Sequence, residues 1–204
     1  SPVRNHIKFG VPVNYSPEVG EEIKASLAAC IIDIRCSIPY VSRIRNGDPY
    51  DEFNVFLAMM KTSLFGDENF SLALAEAGHS GTGATLMTGL GWLLLISGAV
   101  LAVLCLYFTV RVLITDRIIT SKEIRAFIAV IYVVSLLMYI SFIIKAPYYS
   151  SMDFRYVLYL IPVEALMAGL YLTRCGKVMK AITYMVLGIF AVSTAAVYLM
   201  LCRG

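Results

Sequence analysis

The densest grouping of reactive side chains is Lys145-Ala-Pro-Tyr-Tyr-Ser-Ser-Met-Asp-Phe-Arg155-Tyr156. It sets one acid, Asp153, near two bases, Lys145 and Arg155, within eleven residues. An arginine flanked by Phe154 and Tyr156 suits a phosphate, because its planar fork engages two oxygens at once. Lys145 adds a second, simpler positive charge. The same residues also describe a snorkelling cation paired with Asp153, and both readings stay open. Glu164 stands two residues after Pro162 within an apolar run. A carboxylate there is expensive and turns towards protein or water. It is protonated, or bonded to a neighbouring helix, or part of a cavity that Asp153 also borders. Pro162 predicts a bend in the helix that carries it.

Other reactive types lack a supporting pattern. His6 and His79 have no acid or cysteine at a metal-ligand spacing. Gly78-His-Ser-Gly81-Thr-Gly83 is glycine-rich but follows no expected strand, so it reads as a flexible lead into a helix rather than a phosphate loop. The five cysteines show no CxxC motif, and Cys30 and Cys36 read as two free thiols, with a disulfide between them as the alternative if that segment is exported. The acid pairs Glu21/Glu22, Asp51/Glu52 and Asp67/Glu68 fit solvated surface. No Ser/His/Asp set and no GxSxG motif occurs. No catalytic residue and no metal ligand is assigned.

The frame that must position these residues is apolar. Of 204 residues, 59% are hydrophobic and 15% are charged, against about 25% charged in soluble domains. Mean hydropathy is +0.75. These values exclude a water-soluble globule and indicate an integral membrane protein. The net charge of +3 is unevenly spread. Residues 1–81 hold seven Lys/Arg and ten Asp/Glu, whereas residues 82–204 hold ten and four. Basic clusters interleaved with aromatics are absent, so nucleic acid is not an expected partner.

Four apolar runs follow one another, with expected spans at 86–110, 126–144, 156–173 and 181–202. A helix needs roughly 20 residues to cross about 30 Å of hydrocarbon. The third run is the least regular, since Pro162 and Glu164 interrupt it. The expected fold is therefore all-α: a multispanning membrane bundle of four transmembrane helices in 82–204, preceded by an outward-facing segment in 1–81. That segment carries two short amphipathic or interfacial helices, from Glu18 to about Arg35 and over Phe53–Leu64. Small residues four apart, Gly98/Ala102, Ala165/Gly169 and Ala191/Ala195, predict close helix contacts. Tyr148, Tyr149, Tyr156 and Tyr159 suit an aromatic belt at the outer interface. With neither an initiator Met nor a signal peptide, the chain is expected to be the C-terminal piece of a longer protein.

Two stretches together resemble a known family. Lys61-Thr-Ser-Leu-Phe-Gly66 closes an apolar helix before the first span, and Met152-Asp-Phe-Arg-Tyr156 opens a later one. Their order and spacing resemble the C-terminal part of bacterial GT-C glycosyltransferases, relatives of the protein O-mannosyltransferases. Arg4 to Tyr15, with Phe9-Gly-Val-Pro, is similar to the outer loop that precedes the first stretch. The resemblance covers most of the chain. It departs at Asp67-Glu68, where one Glu is usual, and at Asp153, where Asn is usual.

The resemblance implies transfer of a sugar from a polyprenyl-phosphate carrier to an acceptor at the outer face of the cell membrane. It implies membrane lipid, the carrier and the N-terminal remainder of a parent chain as partners, and no cofactor held by this piece. Arg155, with Lys145 and Lys61, becomes the expected lipid-phosphate site. The acceptor-activating acid is expected upstream of Ser1, so this piece alone is expected to be inactive. A transporter or flippase with Glu164 at its midplane, and a non-catalytic scaffold, are the alternatives. The first expects further intramembrane acids; the second expects indifference to Arg155.

The basic residues predict the orientation. Arg111, Arg117, Lys122, Arg125, Arg174, Lys177 and Lys180 lie in two loops on one side, against Lys145, Arg155 and Arg203 on the other. The richer side faces the cytoplasm. In a background without native cysteines, Ser150→Cys is expected to react with an impermeant thiol reagent applied from outside, and Ser121→Cys is not. External labelling of Ser121→Cys would reverse the topology.

Overall fold

The computed structural model describes residues 26–32, 34, 36, 39, 44–45, 48–49, 54–65, 82–115, 118–119, 121–145 and 154–201. Among the described residues six α-helices run in chain order: α1 (Leu27–Ile32), α2 (Val55–Phe65), α3 (Thr82–Ile114), α4 (Lys122–Lys145), α5 (Ile161–Arg174) and α6 (Lys177–Leu201). Two 3-10 turns, Phe154–Tyr156 and Leu158–Leu160, lead into α5. One two-residue antiparallel pair sets Ile44 opposite Pro49 and Arg45 opposite Asp48. The fold is otherwise helical among the described residues.

Among the described residues three helices, α3, α4 and α6, are long and apolar enough to cross a membrane. The chain is a multi-pass helical membrane bundle. The third expected span takes a different form. Its α-helix has only 14 residues, about 21 Å of rise, and the two 3-10 turns precede it. Pro162 lies in the first turn of α5 rather than within it. A proline there removes only an N–H that the helix start leaves unbonded, so it begins the helix instead of bending it.

The central helix is α3, which packs most extensively on α6, then on α5, and least on α4. Three buried hydroxyls in this apolar frame bond back to their own helices. Ser97 donates to the Leu94 carbonyl at 3.1 Å, Thr183 to Met179 at 2.9 Å and Ser193 to Phe190 at 3.0 Å. Such bonds satisfy groups that lipid cannot. Of the small-residue rows, only Gly98 makes a close approach. A Cβ there would lie 3.1 Å from Leu64 Cδ1 and 3.4 Å from Phe190 Cε2. Gly169 has nothing within 4 Å, and Ala102, Ala165, Ala191 and Ala195 are exposed, so those predicted contacts are not made among the described residues.

One half of the bundle is organised by α2. Val55 and Ala58 join Tyr139 and Ile143 of α4, Val157, Leu160 and Cys30 in one apolar cluster. Phe65 joins Met87 and Leu94 of α3 and Val197 of α6 in a second. The short helix thus bridges the C-terminal end of α4 to α3 and α6. Asn54 starts it: Oδ1 accepts from the amides of Phe56 and Leu57, both at 3.0 Å, and Nδ2 donates to the Ile31 carbonyl at 3.0 Å. One side chain caps α2 and ties α1 to it. Cys30, free and buried beside this joint, has its thiol pKa pushed up by desolvation.

The opposite end holds the loops after α3 and α5. Phe108 stacks on Tyr171 with centroids 4.7 Å apart, and Arg125 Nη1 reaches the Leu113 carbonyl at 3.5 Å. Arg111, Lys122, Arg125, Arg174, Lys177 and Lys180 therefore share one end, while Lys145 and Arg155 stand at the other.

Candidate functional site

The two stretches that carry the resemblance meet in space. Thr62 lies on α2 one residue after Lys61, and its hydroxyl donates to the Ala58 carbonyl at 2.9 Å. The Thr62 oxygen then accepts the backbone N–H of Phe154 at 2.9 Å, across 92 residues of sequence. The turn Phe154–Tyr156 packs directly on α2, and Phe154 borders the cluster formed by Val55, Ala58 and Val157. A 3-10 turn leaves its first amides without partners inside the turn. Thr62 supplies one from a helix that is itself fixed at Asn54.

This anchoring sets the position of Arg155. Its neighbours Phe154 and Val157 point into protein, half-buried and buried, while Arg155 and Tyr156 are exposed. The Arg155 guanidinium carbon lies 5.5 Å from the Tyr156 ring centroid, within cation–π range. Tyr156 in turn lies against Phe142 of α4, with centroids 5.0 Å apart and planes at 51°. Lys145 follows Phe142 by three residues, in the last turn of α4, and is exposed. Phe142 and Tyr156 therefore link the stretch holding Arg155 to the turn holding Lys145.

Lys61 is placed differently. It is 0% exposed within α2, so it belongs to the interior of this layer rather than to the open face with Arg155 and Lys145. A buried ammonium carries a desolvation cost that its surroundings must offset. Asp153, His6 and His79 lie outside the described residues. Among the described residues, no three His, Cys, Asp or Glu side chains are grouped closely enough to hold a metal ion.

Glu164 sits in the first turn of α5 and accepts a hydrogen bond from the Tyr132 hydroxyl of α4 at 2.5 Å. The helix dipole favours a carboxylate at that end. The pair connects α4 to α5, so Glu164 has a tethering partner rather than an isolated place at mid-helix.

Comparison with protein families, with curated proteins and with solved structures gives no match to this chain.

Of the three residues that hold the site in place, two escape a reading of residue types alone. Thr62 is inside a quoted stretch but its partner is 92 residues away. Tyr132 is one aromatic among many in α4, with nothing local to mark it. Asn54 did carry a signal, an N-cap residue directly before an apolar helical run. Removing the Thr62 acceptor by Thr62→Val should leave the Phe154 amide unpaired and destabilise the 154–156 turn by about 1–3 kcal/mol. Thr62→Ser should retain most of the stability. Amide exchange in detergent would report it, as faster exchange at Phe154 in Thr62→Val alone; equal exchange in both variants would remove Thr62 from this role.

Proposed function

We propose that this chain is the carrier-binding C-terminal portion of an integral cell-membrane glycosyltransferase of the GT-C type. The observation that supports the reading is the bond between Thr62 Oγ1 and the Phe154 amide. Two stretches that resemble one family at separate points in the sequence form one packed unit. In that unit Arg155 and Lys145 are both exposed, and the Tyr156–Phe142 contact joins the turn holding one to the helix end holding the other. The basic loops at the opposite end set that end in the cytoplasm, so Arg155 faces outward.

The reaction on this reading moves a sugar from a polyprenyl-phosphate carrier to an acceptor at the outer face. A carboxylate from the preceding part of the parent takes the acceptor's proton. The acceptor bonds to the anomeric carbon as the bond from that carbon to the phosphate oxygen breaks, and the phosphate keeps the electron pair. Arg155 and Lys145 stabilise the charge that grows on the departing phosphate. A transporter built around Glu164 has less support, because Glu164 is bonded to Tyr132.

In the parent polypeptide that the resemblance implies, Arg155→Ala should lose about 1.5–3 kcal/mol of charge-assisted binding, roughly ten- to 150-fold in carrier affinity. Arg155→Lys should recover only part, since it keeps the charge and loses the fork. Arg203→Ala is the control for a merely flanking cation. Carrier binding and sugar transfer measured on all three would decide. Near-normal transfer in both alanine variants, at normal expression, would make Arg155 an interfacial anchor.

A further inference from the structure

The end of the bundle opposite Arg155 gathers cations where α3, α5 and α6 meet. Phe108 of α3 stacks on Tyr171 of α5, and both helices run towards this end. Arg111 follows Phe108 by three residues and Arg174 follows Tyr171 by three, so each stands about 5 Å beyond the stacked rings. The Arg111 guanidinium also hydrogen-bonds to the Tyr171 phenol, which fixes it over α5. Lys177 opens α6, and Lys180, half-buried, comes one turn later. Arg111 and Arg174 suit the C-terminal turns that hold them, but Lys177 and Lys180 do not suit the start of α6, where unbonded amides already carry partial positive charge. Stretches 111–125 and 174–180 hold seven basic and two acidic residues, and no acid follows Glu164 in the sequence. Of the two acids, Asp116 lies outside the described residues, and Glu123 accepts a hydrogen bond from the Ser121 hydroxyl at 2.7 Å, at the start of α4.

Positive charge so concentrated, and so little offset by the chain, is matched by an anion from outside. The surface beside it says what carries that anion. Ile114, Val178 and Met185 are 72%, 74% and 61% exposed, so the cations border apolar surface that meets the hydrocarbon layer. A partner that fits both has a negatively charged head at the membrane surface and acyl chains beneath it. A soluble phosphate fits only the first. We infer that the junction of α3, α5 and α6 binds the headgroup of an anionic phospholipid such as phosphatidylglycerol. Its phosphate lies at Arg111 and Arg174, whose planar forks engage phosphate oxygens, with Lys177 and Lys180 beside it and the acyl chains against α6 below Val178. This site is separate from Arg155 and Lys145, and it does not rest on the transferase reading.

The test uses the full chain in nanodiscs of equal parts phosphatidylcholine and phosphatidylglycerol. Native mass spectrometry of protein released from the discs reads which lipid it retains. The wild-type chain should retain phosphatidylglycerol in preference to phosphatidylcholine. Each cation removed should lower that preference about fivefold, so Arg174→Gln combined with Lys177→Gln should abolish most of it. Both residues are exposed, so this pair leaves the packed interior intact, and Arg111→Lys, which keeps the charge, should retain most of the preference. Lys122→Gln removes the same charge beside Glu123 on α4 and should change it less than twofold. A phosphatidylglycerol with a diazirine in its headgroup should form adducts at the ends of α3 and α5 and in the first turns of α6. Soluble glycerol phosphate should not displace the lipid. Equal retention of the two lipids, a preference unchanged in the Arg174→Gln/Lys177→Gln variant, or an equal loss in Lys122→Gln would overturn the inference. So would adducts confined to the end that holds Lys145 and Arg155, and displacement by glycerol phosphate would make the ligand a soluble anion instead.

Discussion

An apolar helix too short to cross a membrane has to be covered by protein, and α2 meets that constraint by packing at both of its ends. Val55 and Ala58 are covered by α4 and the turns before α5, while Phe65 is covered by α3 and α6. Leu64 reaches α3 at Gly98, where a side chain would intrude, and Tyr198 of α6 donates to the Leu64 carbonyl at 2.8 Å. With eleven residues held this way, Thr62 has a defined place, and so has the Phe154 amide bonded to it. The exposure of Arg155 follows from that bond. The geometry of the candidate site is thus a consequence of how a short helix hides its apolar surface.

The rest of the bundle shows how few polar groups an apolar frame tolerates and how most are met. Ser97 and Thr183 bond within their own helices, and the carboxylate of Glu164 meets the Tyr132 hydroxyl, whereas the buried Thr109 hydroxyl of α3 has no hydrogen-bond partner among the described residues. The bond between Tyr132 and Glu164 matters because α4 packs lightly on α3. Apart from it, α4 is held mainly through Tyr139 and Ile143 near its C-terminal end. The remaining surface of α4, Val134, Leu137, Met138 and Phe142 among it, is exposed.

Much of the fold was legible in hydropathy. Long uncharged runs predicted α3, α4 and α6, because span length and apolar composition are properties of the segment alone. The helix over Phe53–Leu64 was likewise legible and is observed at Val55–Phe65. Of the helix expected from Glu18 to about Arg35, only Leu27–Ile32 is a helix among the described residues. The third span was misread in form because a proline inside an apolar run looks like a kink. Whether it bends a helix or starts one depends on the turns before it, which residue type does not reveal. Of the small-residue rows only Gly98 meets a neighbour, for a related reason: spacing shows that two helices can approach, not that a partner is there. Thr62 with Phe154 and Tyr132 with Glu164 are long-range pairs, and no local pattern specifies them. The exposed cations Arg155 and Lys145 were legible as a pair of charges, whereas the enclosure of Lys61 depends on the packing of α2.

The central claim is that α2 holds the turn at Phe154, and a disulfide between them tests it most directly. Thr62 Oγ1 and the Phe154 nitrogen are 2.9 Å apart, which brings the two Cα atoms within about 7 Å, at the edge of disulfide reach. In a background without native cysteines, Thr62→Cys combined with Phe154→Cys is expected to cross-link under mild oxidation in native membranes. Ser63→Cys combined with Phe154→Cys should not, because Ser63 is exposed on another face of α2. Absence of the first cross-link, with both thiols reactive to maleimide, would contradict the account.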